Sequence, residues 1–164
     1  MALRKHRVGE FTIEQVRDLV RLRAFLEGCG MITDGIEWPA GCYLMAYVGD
    51  YAVGAVGVEC RLDAALMRSL CVAKPHRRHG FAARLVAAAR KAAHTRGART
   101  MYLLAYPQMA AYFRRFGFVE IDKDQMTRAM SGAPEVEYYR ARPDELAREI
   151  AMTLDISRDG VIER

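Results

Sequence analysis

The chain has 164 residues, 52% of them hydrophobic, with a formal net charge of +5. That is enough for one domain with a real core, and residues 1–164 are read as a single domain. The basic residues are not interleaved with aromatics as in single-strand binders, so nucleic acid is not the expected partner. No stretch is long enough to cross a membrane as a helix, and the basic start Met1–Arg7 lacks the apolar run of a signal peptide. Cys29, Cys42, Cys60 and Cys71 lie in apolar segments without Cys-x-x-Cys spacing. They read as reduced thiols of a cytoplasmic protein, with no metal site.

Leu3–Val8 is predicted as a short strand. Thr12 and Gln15 form a capping box, with Phe11 and Val16 as its hydrophobic staple, which predicts a helix to about Glu27. Ile13, Val16, Leu19, Val20 and Leu26 would face inward, and Gly28 would end it. Gly30–Gly41 reads as a loop. Cys42–Val48 and Tyr51–Cys60 are β-rich runs around Gly49-Asp50, a hairpin signal. Asp63-Ala64 marks another tight turn, and Ala65–Ala73 is the next strand. A helix follows over Phe81–Arg96, stopped by Gly97. Then come a strand over Thr100–Tyr106, a short helix over Gln108–Phe116, and strands over Phe118–Ile121 and Ile150–Ile156. This order predicts an α/β (α+β) fold with a mixed sheet.

The passage from strand to helix, Leu70-Cys71-Val72-Ala73-Lys74-Pro75-His76-Arg77-Arg78-His79-Gly80-Phe81-Ala82, carries the chemistry. Such a turn aims backbone N–H groups and the positive end of a helix dipole at one spot, which suits an anion. No Asp or Glu occurs from Ala64 to Val119, while Arg and Lys recur. The first turn of the helix is left free of the acidic residues that would otherwise be favoured there.

Arg77, Gly80 and Ala82, following Leu70 and Val72, resemble motif A of the Gcn5-related N-acetyltransferases, the GNAT superfamily. The likeness covers Gly41–Ile121 well and the flanks loosely. Gly30–Gly35, Gly57–Glu59, Asp63–Val72, Tyr102–Leu104 and Phe113–Phe118 look most like the arsenic-resistance-associated members. The resemblance implies a centrally splayed sheet, with the strands bearing Val72 and Leu103 parting to admit the pantetheine arm of acetyl-CoA. Leu70, Cys71, Val72, Arg77, Arg78, His79, Gly80, Phe81 and Ala82 are the cofactor-binding residues it implies, with Lys74 near the phosphates. The Val72 N–H is the expected donor to the thioester oxygen.

Direct acetyl transfer to an amine needs a held thioester, a base, an oxyanion donor and an acid for the thiolate. Glu59 is the expected base. Asp34 and Glu37 lie in the loop that covers the acceptor in the family, and Trp38 either walls that pocket or anchors the loop. Phe113 stands where the family commonly places its tyrosine acid. Tyr112 is the catalytic alternative, although one residue along a helix turns a side chain by roughly 100°; otherwise water protonates the thiolate. Arg68, a charge within an apolar strand, either pairs with Glu59 or clamps an acceptor carboxylate. The expected activity is N-acetylation of a small-molecule amine, amino-acid-like or xenobiotic. A protein N-acetyltransferase and an acyl-CoA sensor without turnover are the alternatives. The segment after Ser131 could pair with a second copy of the chain to give a homodimer.

Overall fold

The computed structural model describes residues 9–159. Its core is one seven-stranded sheet in the order β1-β2-β3-β4-β5-β7-β6, where β1 is Phe11–Gln15, β2 Gly41–Val48, β3 Tyr51–Arg61, β4 Ala64–Val72, β5 Thr100–Ala105, β6 Val119–Ile121 and β7 Ile150–Asp155. Every neighbouring pair is antiparallel except β4 with β5. A parallel neighbour needs a crossover, and α2 (Phe81–Thr95) supplies it.

Alternation along the strands sorts the core into layers. Cys42, Leu44 and Ala46 face α2, packing with Leu85, Val86 and Ala89. Tyr43 and Met45 face the other way, against Leu22 and Leu26 of α1 (Leu19–Gly28). Further along that second face, Met126 of α4 (Lys123–Ala129) and Val136 of α5 (Pro134–Arg140) cover Leu66 and Ala151. Two short helices complete the fold, α3 (Ala110–Arg114) and α6 (Pro143–Leu146).

The first helix starts later than its sequence signature predicts. Phe11–Gln15 is a strand, paired with β2 from Phe11↔Val48 to Gln15↔Leu44. Phe11 and Ile13 reach the core with the two-residue period of a strand, which takes precedence over the local capping signal. The cap is Asp18, whose carboxylate accepts from the N–H groups of Val20 and Arg21 at 3.0 and 3.1 Å. Accordingly Val20 is 81% exposed, and Leu22 and Leu26 make the buried stripe. Gly28 is the helix's last residue, with Cys29 as its C-cap. The strand expected over Leu3–Val8 lies outside the described residues.

Two features of β4 shape the site. Its register against β3 shifts between Ala55↔Cys71 and Gly57↔Arg68, so Ser69 and Leu70 oppose Val56 alone. Ser69, at φ 58°, is in the left-handed region, and the strand bulges there. On its other edge β4 pairs with β5 only from Ala64↔Thr100 to Leu66↔Tyr102. Beyond that the two strands part, leaving a cleft between Met67–Val72 and Leu103–Ala105.

The loop 30–37 closes over one end of this cleft and meets α5. Gly35 makes that contact possible: its φ is 75°, and an added Cβ would fall 2.1 Å from Cβ of Pro134. Neither the backbone conformation nor the space admits a side chain. Gly35→Ala should therefore cost about 2–4 kcal/mol of stability, measured by chemical denaturation. A loss below about 0.5 kcal/mol would show that loop and helix are not packed this way.

Candidate active site

Arg68 organises the buried half of the site. Its Nη1 donates to Glu59 Oε2 at 2.9 Å and to the Asp34 carbonyl at 2.8 Å. Its Nη2 donates to the Ile32 carbonyl at 3.1 Å, and its Nε to Ser69 Oγ at 3.2 Å. The other carboxylate oxygen of Glu59 accepts from the N–H of Glu135 at 3.1 Å, in the first turn of α5. One ion pair thus joins β3, β4, the loop 30–37 and α5. Of the two roles open to Arg68, the internal pair is the one observed.

Glu59 is fully buried. Burial pushes its carboxyl up, and Arg68 and the Glu135 N–H pull it back. Both its oxygens are engaged within the protein, and it does not line the cavity described below. The geometry therefore does not suit the expected role of base: Glu59 holds Arg68 and α5 in place.

The cleft between β4 and β5 opens into a cavity of about 530 Å³. On one side lie Met67, Ser69, Leu70, Leu103, Ala105 and Phe113. On the other lie Met31 and Ile32 of the loop, with Glu135, Tyr138, Tyr139 and Glu149. Glu135 is nine-tenths buried, and its Oε2 accepts no hydrogen bond. The nearest cation is Arg68 Nε at 3.6 Å. Burial pushes the Glu135 carboxyl up to about 8; Arg68 opposes this, while Glu59 and Glu149 add to it. Glu149, also buried and raised by burial, accepts from the Tyr139 hydroxyl at 3.2 Å.

The expected cofactor residues divide into two groups. Ala73 N–H pairs with the Val53 carbonyl, so alternation turns the backbone groups of Val72 and Leu70 away from β3, towards the cleft. The Val72 carbonyl accepts from Arg77 Nε at 2.9 Å, which ties the turn to the strand. Cys71 is turned the other way: its side chain packs with Leu22 and Leu26, and its backbone is in register with Ala55. It does not face the cleft. After a turn of 3₁₀ helix over Lys74–His76, Arg77, Arg78, His79 and Gly80 lie exposed. Arg78 and Gly80 have φ of 65° and 76°. Gly80 caps α2 with no side-chain hydrogen bond, and no acidic residue stands in that first turn. Phe81 stacks on Phe11 at 4.5 Å and lies 5.7 Å from His79, which shapes the turn from outside, and Ala82 is half-buried.

Of the remaining candidates, Phe113 lines the cavity and Tyr112 does not. Tyr112 packs edge-on against Phe113 and Phe116, with ring centroids 5.3 and 5.2 Å away, as the helix phase requires. Trp38 packs beside Met126 and Val136 and anchors the loop. Asp34 offers only its carbonyl, and Glu37 lies 3.6 Å from Arg23 at the surface. Glu135 and Glu149 were not among the candidates read from the sequence. The one signal for Glu135 was Pro134, a helix-starting residue, which places the next position in a first turn. Among the described residues no cluster of His, Cys, Asp or Glu could hold a metal, and no helix is long and apolar enough to cross a membrane.

Residues 39–120 match the family described as the acetyltransferase (GNAT) domain. The chain belongs to that family, whose reaction is acetyl transfer to an amine nitrogen. No curated protein matches it in sequence. Among solved structures it is similar to N-acetylglutamate synthase of Neisseria gonorrhoeae, complexed with coenzyme A and L-arginine (14% identity, TM-score 0.68, 91% of this chain and 34% of that one). It is also similar to the ribosomal-protein-S18-alanine N-acetyltransferase of Escherichia coli (16%, 0.65, 94% and 99%). A third is a GNAT-family acetyltransferase of Staphylococcus aureus (13%, 0.63, 90% and 99%). At these identities the likeness is one of fold.

The raised carboxyl has a thermodynamic sign. A carboxyl with a higher pKa in the folded than in the unfolded chain takes up a proton on folding. The contribution of Glu135 to stability is therefore greatest on the acid side, and is lost as pH climbs from 4.5 to about 8. Glu135→Gln should flatten that part of the stability–pH curve. Arg68→Met should cost about 3–5 kcal/mol at neutral pH by leaving buried charge unpaired, and less in acid. Denaturation across the pH range checks both. A loss for Arg68→Met that grows towards acid would contradict this electrostatic account.

Proposed function

We propose that the protein is an acetyl-CoA-dependent N-acetyltransferase that acetylates the amine of a small molecule, by direct attack on the thioester without a covalent enzyme intermediate. One observation carries the reading: β4 and β5 part beyond Leu66, which leaves the edge of Leu70 beside the cavity, and the acid-free start of α2 follows β4 in the chain. In this reading the pyrophosphate lies on the N–H groups at the start of α2, beside Arg77 and Arg78. The pantetheine arm runs along the open edge of β4, and the Val72 N–H polarises the thioester oxygen. The acetyl group is then presented to the space bounded by Ile32, Glu135 and Tyr138.

The size of that space and its cover of helix and loop side chains favour a small acceptor over a protein terminus. Tyr112 is out of reach of the cavity, so the thiolate takes its proton from solvent; a thiol titrating near ~8.5 leaves without a dedicated acid at modest cost. The free thiols Cys29, Cys42, Cys60 and Cys71 agree with action in the cytoplasm.

Gly80→Asp tests the phosphate end. A Cβ there meets nothing within 4 Å, so the effect would come from the left-handed φ and from charge opposed to phosphate. Calorimetry should show coenzyme A binding weakened by at least about tenfold. Tyr112→Phe should leave kcat within about threefold. A thiol-release assay over small amines, amino acids and peptides gives the acceptor class. Unchanged affinity in Gly80→Asp would place the phosphates elsewhere. Turnover of peptides alone would favour a protein acceptor, and tight binding without turnover a sensor.

A further inference from the structure

The far end of the cavity has the chemistry of a cation site. Arg68 stands in its wall, but four of its five N–H donors are already spent on Glu59, Asp34, Ile32 and Ser69. It is poorly placed to clamp a ligand carboxylate. The acidic groups are not so committed. Glu135 lines the cavity with one carboxylate oxygen buried and without a donor, and Arg68 Nε, at 3.6 Å, is too far for a hydrogen bond. A buried oxygen left unfilled by the protein is costly unless something else supplies a donor. Glu149 lines the same space, with Glu145 at its exposed rim. Tyr138 and Tyr139 line the space as well, with Arg142 stacked on one face of the Tyr138 ring at 3.7 Å.

We propose that Glu135 receives the acceptor as a primary ammonium ion and is the base that removes its proton before acetyl transfer. This rests on the reading of the cleft given above. One proton passes from R–NH₃⁺ to the Glu135 carboxylate, leaving R–NH₂ and the neutral acid. The nitrogen lone pair forms the new N–C bond, and the C–S bond breaks with its electrons going to sulfur. The second proton leaves nitrogen and neutralises the thiolate through solvent. Glu135 returns its own proton to solvent, so one proton is released for each amide formed.

The setting suits the task. The charged and titratable groups around Glu135 are Arg68 on β4, Glu59 on β3, Tyr43 on β2, Tyr139 on α5 itself, and Glu149 just ahead of β7; Tyr106, Tyr138, Glu145 and the exposed Arg148 line the same cavity. Burial raises the proton affinity of Glu135 towards that of an amine, which makes the transfer less uphill. Glu59 fixes the Glu135 backbone through its N–H, so the carboxyl is positioned by the same ion pair that closes the loop.

The test compares two acceptors, ethylamine and trifluoroethylamine; the second is largely neutral at neutral pH. In the wild type, kcat/KM for ethylamine should rise with pH to a plateau near the Glu135 value of about 8. Glu135→Gln should lose the plateau near 8, keeping only the rise set by the amine's own deprotonation, and lose about 10²–10⁴-fold of the ethylamine rate at neutral pH, but under about tenfold with trifluoroethylamine, at unchanged acetyl-CoA affinity. Equal losses for the two amines, or a plateau that stays near 8 in the variant, would overturn the proposal. A second measurement needs neither turnover nor a folded variant. In the wild type, with and without added CoA, carboxyl-carbon NMR should show one buried glutamate titrating near 8, perturbed by added ethylammonium. A normal titration of every glutamate, or no response to the cation, would equally overturn it. Failure of CoA to bind would instead count against the reading of the cleft, and the glutamate titration would still decide the role of Glu135.

Discussion

The buried ion pair between Arg68 and Glu59, at 2.9 Å, is the constraint on which the rest of the site depends. Neither partner could stand alone, because an unpaired charge in that interior is far costlier than the pair. Once formed, the pair fixes its neighbours by leaving them no other partners. The Asp34 and Ile32 carbonyls turn towards Arg68, and the Glu135 N–H turns towards Glu59. A loop remote in sequence and a helix near the end of the chain are thereby held against the centre of the sheet. Apolar packing alone would keep them near that place, but would not set the direction of a carboxylate.

The sheet supplies the opposite kind of order, by omission. A bulge at Ser69 and the parting of β4 from β5 after Leu66 leave a strand with an unpaired edge in the middle of the fold. Unpaired buried N–H and C=O groups are normally avoided. Here they border a cavity, where a ligand with amide groups of its own could satisfy them. The acid-free run from Ala64 to Val119 sets the electrostatics of the same path, with positive potential at its outer end. The inner end is acidic. An anionic cofactor and a cationic acceptor would thus approach from opposite sides.

Much of this was legible in the sequence, and the reason is periodicity. Strands β2 to β5 and helix α2 fall within a residue or two of their predicted limits, because hairpin glycines and an Ala-rich helical run are local signals. The first strand was not legible, since Phe11–Gln15 satisfies a helix-capping pattern and becomes a strand only through the free edge of β2. Helices α4 to α6 are short, and most of their order comes from tertiary contact. Arg68 announced itself as a charge in an apolar strand. Glu135 did not, because its burial, the main cause of its raised pKa, comes from tertiary contact with partners far upstream in the chain, 76 positions away in the case of Glu59. The pairing of Arg68 with Glu59 was one of two options open in the sequence, and it leaves both Glu59 oxygens engaged within the protein, away from the cavity.

The central claim is that the cleft between β4 and β5 receives the thioester and delivers it to the acidic end of the cavity. A crystal structure with coenzyme A bound tests it most directly. The account predicts the pyrophosphate on the N–H groups that begin α2, the pantetheine arm along the open edge of β4, and the sulfur between β4 and β5 on the side of Phe113. Coenzyme A seated on another face of the sheet, or a sulfur directed away from Glu135, would contradict it.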